Sequence, residues 1–198
     1  MASRRIISTF SLLLILDFAF AQKVENIPDF TLTDVVSNQA TSFYSLRKSK
    51  AIVVIFTSNY CPYAKLYEQR IKDLAEKYSS KDISFMLVNS NNSRLSTDET
   101  VEKMKLKAQE SSFNIPYYAD KELVAKTIFK AEKTPEAFVV TEVKGALSVV
   151  YRGAIDDNPQ SPDAVEKSYI DLALNNLTNG KVSPVTFFRP TGCRIKTE

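Results

Sequence analysis

The sequence predicts an α/β sandwich, a central mixed β-sheet flanked by helices, and three features carry that reading. Residues 51–56 (AIVVIF) and 83–88 (ISFMLV) are continuous apolar runs, the pattern of strands buried on both faces. Between them, residues 62–78 place Leu66, Ile71, Leu74 and Ala75 at helical spacing, which predicts a helix crossing over between the two strands. Further on, residues 137–141 and 147–151 flank Lys144-Gly145 and predict a β-hairpin.

The other elements fill in around this frame. Residues 29–33 and 40–44 predict an N-terminal β-hairpin turning at Ser37-Asn38. Thr97-Asp98-Glu99 predicts the start of a helix running to about Ser111, since acids in a first turn complement the helix dipole. Residues 116–119 predict a brief strand and residues 121–130 a short helix. A terminal helix is expected over residues 163–177, stopping at Asn179-Gly180. The order is hairpin, β, α, β, α, short β, α, β, β, α, which is a sandwich of thioredoxin type. Residues 181–198 form a C-terminal tail rich in proline and aromatics that carries Cys193. Val185, Phe187, Phe188 and Ile195 alternate with polar residues in a strand-like way, and Phe187-Phe188 is expected to dock the tail on its own domain.

A chain of 198 residues fits one domain, and a hydrophobic fraction of 44% fills a core without staples. Four glycines leave no Gly-rich phosphate cradle. The absence of histidine excludes Ser-His and Cys-His catalysis and removes the commonest metal ligand. No cofactor and no metal are expected. The formal charge is +3, with bases scattered among acids, so nucleic acid is not an expected partner.

Arg4 and Arg5 precede an apolar stretch over residues 6–20, interrupted by Asp17. Ala19-Phe20-Ala21 is a small-x-small cleavage pattern. Together they predict a secretory signal peptide over residues 1–21 rather than a membrane anchor, because the run is short and carries an acid. The expected protein is exported, periplasmic or extracellular, with no stable membrane insertion after cleavage, and its domain spans residues 22–180. In an oxidising compartment its two cysteines, Cys61 and Cys193, either form a structural staple or cycle.

Cys61 lies after a buried strand and before a helix, with Pro62 at the first helical position, where its missing N–H costs nothing. A thiol at that N-cap faces unpaired backbone N–H groups and the positive end of the helix dipole, which favour the thiolate. Lys65, one turn along, adds positive potential. Asp156 and Asp157, ahead of Pro159, read as turn caps rather than ligands. The sequons Asn91-Asn92-Ser93 and Asn176-Leu177-Thr178 matter only in a eukaryotic secretory route.

The segment from Phe56 to Lys65, with Thr57-Ser58-Asn59-Tyr60-Cys61-Pro62-Tyr63-Ala64 between, resembles the active-site loop of the thioredoxin superfamily. Adding Pro28-Asp29-Phe30-Thr31-Leu32, Asn89-Ser90-Asn91, Thr134-Pro135, the run from Tyr151 to Asn158 and the run from Arg189 to Lys196, the chain resembles the exported peroxiredoxin-like redoxins of the alkyl-hydroperoxide reductase/thiol-specific antioxidant family. The chain departs from those patterns at five places. Ala64 stands where a dithiol protein has its second cysteine. Tyr60 replaces a tryptophan. Val54 stands where a peroxidatic motif has proline, and Ser58 where it has threonine. Residues 51–56 hold no acid to act as a buried proton acceptor.

The resemblance implies a thiol-dependent oxidoreductase, with Cys61 as nucleophile on a peroxide or a disulfide and Cys193 as resolving thiol. An external thiol reductant such as a thioredoxin-like protein would then be a partner, beside the peroxide or oxidised protein substrate. Ser58 would offer its hydroxyl to a bound peroxide. Thr134-Pro135 would be a cis bond facing Cys61, leaving the Thr134 backbone to pair with a bound peptide. Arg152 would hold the thiolate and polarise a peroxide, or else pair with Asp156 or Asp157 to fix a turn. Two alternatives stay open: thiol–disulfide exchange on exported proteins, and a redox-inert binding module stapled by Cys61–Cys193.

Overall fold

The computed structural model describes residues 26–181 and 186–198. The signal peptide expected over residues 1–21 lies outside the described residues, as does Val185 of the tail. Strands β1 (Thr31–Asp34) and β2 (Ala40–Ser42) form the N-terminal hairpin. Then β3 (Ala51–Phe56), α1 (Pro62–Lys77) and β4 (Ile83–Asn89) make a parallel βαβ unit. Helix α2 (Val101–Glu110), β5 (Tyr117–Ala119), α3 (Val124–Phe129) and the two-residue β6 (Lys133–Thr134) follow. The second hairpin is β7 (Glu136–Val143) with β8 (Ala146–Gly153), and α4 (Tyr169–Thr178) follows it. The tail adds β9 (Thr186–Phe188) and β10 (Cys193–Arg194).

Among the described residues eight strands form one mixed sheet in the order β2-β1-β5-β4-β3-β7-β8-β9, and β10 pairs with β6 in a separate ribbon. The central position of β3 explains its unbroken apolar sequence. Ala51, Val53 and Ile55 face one apolar cluster with Tyr67, Ile71 and Leu74 of α1 and Ile170 and Leu174 of α4. Ile52, Val54 and Phe56 face the other, with Phe129 of α3 and Phe138 of β7. Each fully buried Val, Ile or Phe in that strand contributes about 1.5–3 kcal/mol relative to exposure. Phe56 packs edge-on against Phe129 and Phe138, with ring centroids 5.9 and 5.6 Å away. The β7–β8 turn takes positive φ at both Lys144 (52°) and Gly145 (82°), the geometry that a two-residue hairpin requires.

The sequence expectation is corrected in five places. Strand β2 ends at Ser42, and residues 43–46 form a 3-10 turn that buries Phe43. On α1, Leu66 is exposed; the buried stripe is Ala64, Tyr67, Ile71 and Leu74. The helix expected from Thr97 breaks: residues 97–99 form a 3-10 turn, Thr100 is extended, and α2 starts at Val101 with the Thr100 hydroxyl accepting from the Lys103 N–H at 3.3 Å. The short helix is only Val124–Phe129, bounded by left-handed Leu123 and Lys130. The terminal helix starts at Tyr169 rather than at residue 163, because residues 167–169 pair with 155–157 instead, through the Asp156–Ser168 bridge and the Asp157 N–H to Lys167 carbonyl bond.

The tail returns across two edges. Strand β9 runs parallel to β8, and Gly153 meets Phe188 so closely that a Cβ at residue 153 would fall on the Phe188 carbonyl oxygen. Phe188 docks by stacking on Tyr169 at 3.8 Å between centroids. Phe187 does not dock in the same way; it is 54% exposed.

Candidate active site

Loop residues 57–60 connect β3 to α1, and Cys61 is the N-cap of α1 in an extended conformation, with Pro62 as first helical residue. Its carbonyl accepts from the Lys65 N–H at 3.2 Å. The side chain is fully buried and forms a disulfide with Cys193, with the two Cα atoms 5.9 Å apart across 132 residues of sequence. The Cys61 sulfur lies 3.1 Å from the carbonyl oxygen of Thr134. Lys65 is exposed.

The loop before Cys61 is held from below by one buried carboxylate. Glu99, 2% exposed, receives the Ser58 hydroxyl and the Tyr60 N–H (3.1 Å) on Oε1, and the Asn59 N–H (3.1 Å) and Asn89 amide (2.6 Å) on Oε2. Ser58 Oγ in turn accepts from the backbone N–H groups of Tyr60 (3.2 Å) and Cys61 (3.0 Å). A hydroxyl has one donor and two acceptor sites, so all of Ser58 is committed to the loop and none is left for a peroxide. Tyr117 closes the network, donating to Asn59 Oδ1 at 3.0 Å. Burial first, and the Glu99 charge second, push the Tyr117 hydroxyl well above the ordinary tyrosine range. Lys121 donates to the Glu99 carbonyl at 2.9 Å; its burial pulls its ammonium pKa down and the nearby acids oppose that.

The opposite wall is built from Thr134-Pro135, a cis peptide bond. Its backbone is not free. Cys193 pairs with Thr134 and Arg194 with Lys133 in an antiparallel ribbon, extended by the Ile195 N–H to Glu132 carbonyl bond at 3.0 Å. The Thr134 hydroxyl is buried and has no hydrogen-bond partner. A second buried carboxylate organises this wall: Glu136 Oε2 accepts the N–H groups of Glu132 (2.8 Å) and Lys133 (3.1 Å). Arg152 sits behind it, 3.7 Å from Glu136 Oε1, with its guanidinium over the rings of Phe187 (5.2 Å) and Phe138 (5.9 Å). The expected pairing of Arg152 with Asp156 or Asp157 is therefore corrected.

Asp156 is taken by α1, accepting from the Tyr67 hydroxyl and from Arg70, both at 2.7 Å. Asp156 also caps its own turn through the Asn158 N–H at 3.0 Å, while Asp157 reaches nine residues on to accept the Glu166 N–H at 3.1 Å. Asn91 of the first sequon is buried, with its side chain bonded to Asn89 and receiving the Lys196 N–H at 2.9 Å. Among the described residues no group of three or more Asp, Glu or Cys side chains gathers as a metal site.

Sequence reasoning missed Glu99 and Glu136. Glu99 reads as a first-turn helix acid, yet Thr97 and Thr100 offer two alternative helix starts. Choosing the second frees Glu99 to turn inward. Glu136 stands alone as an acid at the head of a buried strand, and that position is itself a sign of a buried acceptor role.

A family model described as redoxin matches residues 22–167 of the chain. Among solved structures, an uncharacterized conserved protein from Geobacillus kaustophilus superposes with a TM-score of 0.79 at 28% identity, covering 87% of this chain and 90% of that one. A hypothetical protein from Sinorhizobium meliloti 1021 gives 0.77 at 24% identity, covering 87% and 93%. A peroxidoxin from Mycobacterium tuberculosis gives 0.58 at 17% identity, covering 79% and 96%, and shares the fold. No curated protein matches the chain.

Proposed function

The chain belongs to the redoxin family, and from that premise we propose that it is a thiol–disulfide oxidoreductase with Cys61 as attacking thiol and Cys193 as resolving thiol. The observation that carries this reading is the bond itself. It joins the N-cap of α1 to a tail strand lying along Lys133-Thr134. That is the arrangement left when a resolving thiol has closed on a nucleophile beside an extended polypeptide. Attack by the Cys61 thiolate on a substrate disulfide forms a mixed disulfide. Cys193 then displaces the substrate and closes the bond seen here. An external thiol reductant, of thioredoxin-like type, reopens it.

In this reading Ser58, Thr134, Pro135 and Arg152 are positioning residues. Ser58 fixes the loop through Glu99, and Arg152 acts on the Thr134 wall through Glu136. A peroxidase reading draws less support, because the Ser58 hydroxyl is fully engaged and Arg152 rests on Glu136. The leader expected over residues 1–21 and a two-cysteine disulfide both suit an exported protein in an oxidising compartment. Among the described residues no helix is long and apolar enough to cross a membrane.

Parallel turnover assays of wild type and Cys61→Ser with insulin disulfides and with hydrogen peroxide test the assignment. Insulin reduction that disappears in Cys61→Ser supports it. Peroxide consumption without insulin reduction makes the protein a peroxidase instead, and neither activity makes Cys61–Cys193 a structural staple.

A further inference from the structure

We propose that residues 192–195 stand in for a substrate strand, and that the site takes an extended, cysteine-bearing polypeptide with no side chain just before the cysteine and an aliphatic residue two positions after it. The proposal deepens the thiol–disulfide reading above and rests on it.

The tail is held chiefly by main-chain contacts that any extended chain can make. Cys193 and Arg194 pair with Thr134 and Lys133, the Ile195 N–H bonds the Glu132 carbonyl, and the Lys196 carbonyl accepts the Asn92 N–H at 2.7 Å. Selectivity lies in the alternation of side chains along the strand. Cys193 points to Cys61. Arg194 is exposed. Ile195 is 8% exposed and joins the apolar cluster that holds Phe129 and Ala131. Gly192 lies against the Thr134 peptide, where an added Cβ would fall on the carbonyl oxygen and within 2.8 Å of the carbonyl carbon. A residue with any side chain at that place must push the strand off the wall.

The Cys61 thiolate attacks the peptide sulfur of a substrate disulfide. One S–S bond forms, the old one breaks, and the departing thiolate takes a proton. The Cys193 thiolate then attacks the Cys61 sulfur, forming Cys61–Cys193 and releasing the peptide as a second thiol. The enzyme dithiol is oxidised by two electrons and the substrate disulfide is reduced by two.

The test uses full-length reduced Cys193→Ser, in which Cys61 is the sole thiol, and a synthetic peptide of residues 190–198 with its cysteine capped by thionitrobenzoate. Three further peptides carry the equivalents of Gly192→Ala, Ile195→Ser and Arg194→Ser. The first two should react with Cys61 slower by about tenfold or more, from a blocked approach and a lost apolar anchor, while the third stays within about twofold. One common rate for all four peptides overturns the proposal while leaving the thiol–disulfide reading in place. Failure of Cys61 to react even with free dithiobis(nitrobenzoate) overturns that reading and this proposal with it. Should Cys193→Ser fail to fold, the same determinants are read in the wild-type background. Gly192→Ala and Ile195→Ser should make Cys61–Cys193 easier to reduce with glutathione, and Arg194→Ser should not. Equal reduction of all three overturns the proposal.

Discussion

The Ser58 hydroxyl donates to the carboxylate of Glu99, forty-one residues downstream, and accepts the backbone N–H of Cys61 at 3.0 Å. Glu99 thus sets the position of Cys61 through one intermediary, while Asn59 and Tyr60 bond it directly through their backbone. Glu99→Gln keeps the shape but turns one acceptor oxygen into a donor facing other donors. The loss of a satisfied buried acceptor should cost about 1–3 kcal/mol in urea unfolding. It should also change the rate of Cys61 exchange with glutathione, a readout that a purely distant structural defect would leave alone. An unaltered midpoint and an unaltered exchange rate would remove Glu99 from the site.

Reduction should release a thiol of unusual acidity at Cys61. It caps the N-terminus of a 16-residue helix, whose unpaired N–H groups and dipole favour the thiolate, whereas its complete burial favours the thiol. We expect the dipole to win, with a pKa below the free value of about 8.5. Thiolate absorbance of reduced Cys193→Ser against pH measures it directly. A value at or above the free one means that burial dominates, and Cys61 then lacks the activation that a nucleophile needs.

Much of this architecture is legible in the residues alone. The run AIVVIF announces β3, Lys144-Gly145 the β7–β8 hairpin, and Cys61-Pro62 the start of α1, because each depends on local sterics or on a buried apolar pattern. The tail pairing is legible only as a possibility, since two cysteines in one chain state scarcity and not geometry. Glu99 and Glu136 are only faintly marked, the one by a second possible helix start at Thr100 and the other by its place at the head of a buried strand. Glu99 accepts from a loop forty residues away, the backbone N–H groups of Asn59 and Tyr60 among its donors, whereas Glu136 accepts backbone N–H groups only three and four residues back; at neither place does a residue type record that its backbone needs an acceptor. The break at Thr100 follows from the same fact, as the chain gives up a helical turn to bring Glu99 under the loop.

Alkaline pH should unfold the protein from within. Burial raises the hydroxyls of Tyr67, Tyr78, Tyr117 and Tyr151 well above the ordinary value, helped at Tyr67 by the bond to Asp156 and at Tyr78 by Asp171. For an acid whose folded pKa is raised, the neutral form is the one the fold prefers. The stabilisation is whole below the unfolded tyrosine pKa of about 10 and is lost as pH climbs above it. Late tyrosinate absorbance should therefore appear together with the loss of circular dichroism. Full tyrosinate absorbance while the fold persists would contradict the burial of these rings.

The sharpest separation between a cycling bond and a staple lies in the stability of the reduced protein. Cutting a disulfide that spans 132 residues frees the unfolded chain, which for a loop this long predicts a loss of about 4–5 kcal/mol when the native state is unchanged. A strap that opens on reduction changes that sum. The tail beyond Phe188 buries one large apolar side chain, Ile195, so once the sulfurs part its hold is that side chain and a short main-chain ribbon along residues 132–134 with the bonds to Asn91 and Asn92. Its release returns about 1–2 kcal/mol of backbone entropy per freed residue to the native state, less the contacts given up. Of the two apolar clusters of the sheet, one loses only Ile195 with the tail and the other loses nothing beyond residue 188. We therefore expect chemical unfolding of reduced wild type to lie within about 2 kcal/mol of the oxidised protein, well short of the staple value. The companion experiment is a trap: Cys193→Ser incubated with insulin should accumulate a mixed disulfide through Cys61, recoverable by non-reducing mass spectrometry, and Cys61→Ser should not. A full staple-sized loss on reduction, with no trapped adduct, would return Cys61–Cys193 to a purely structural role and leave the thioredoxin-like body as a binding module.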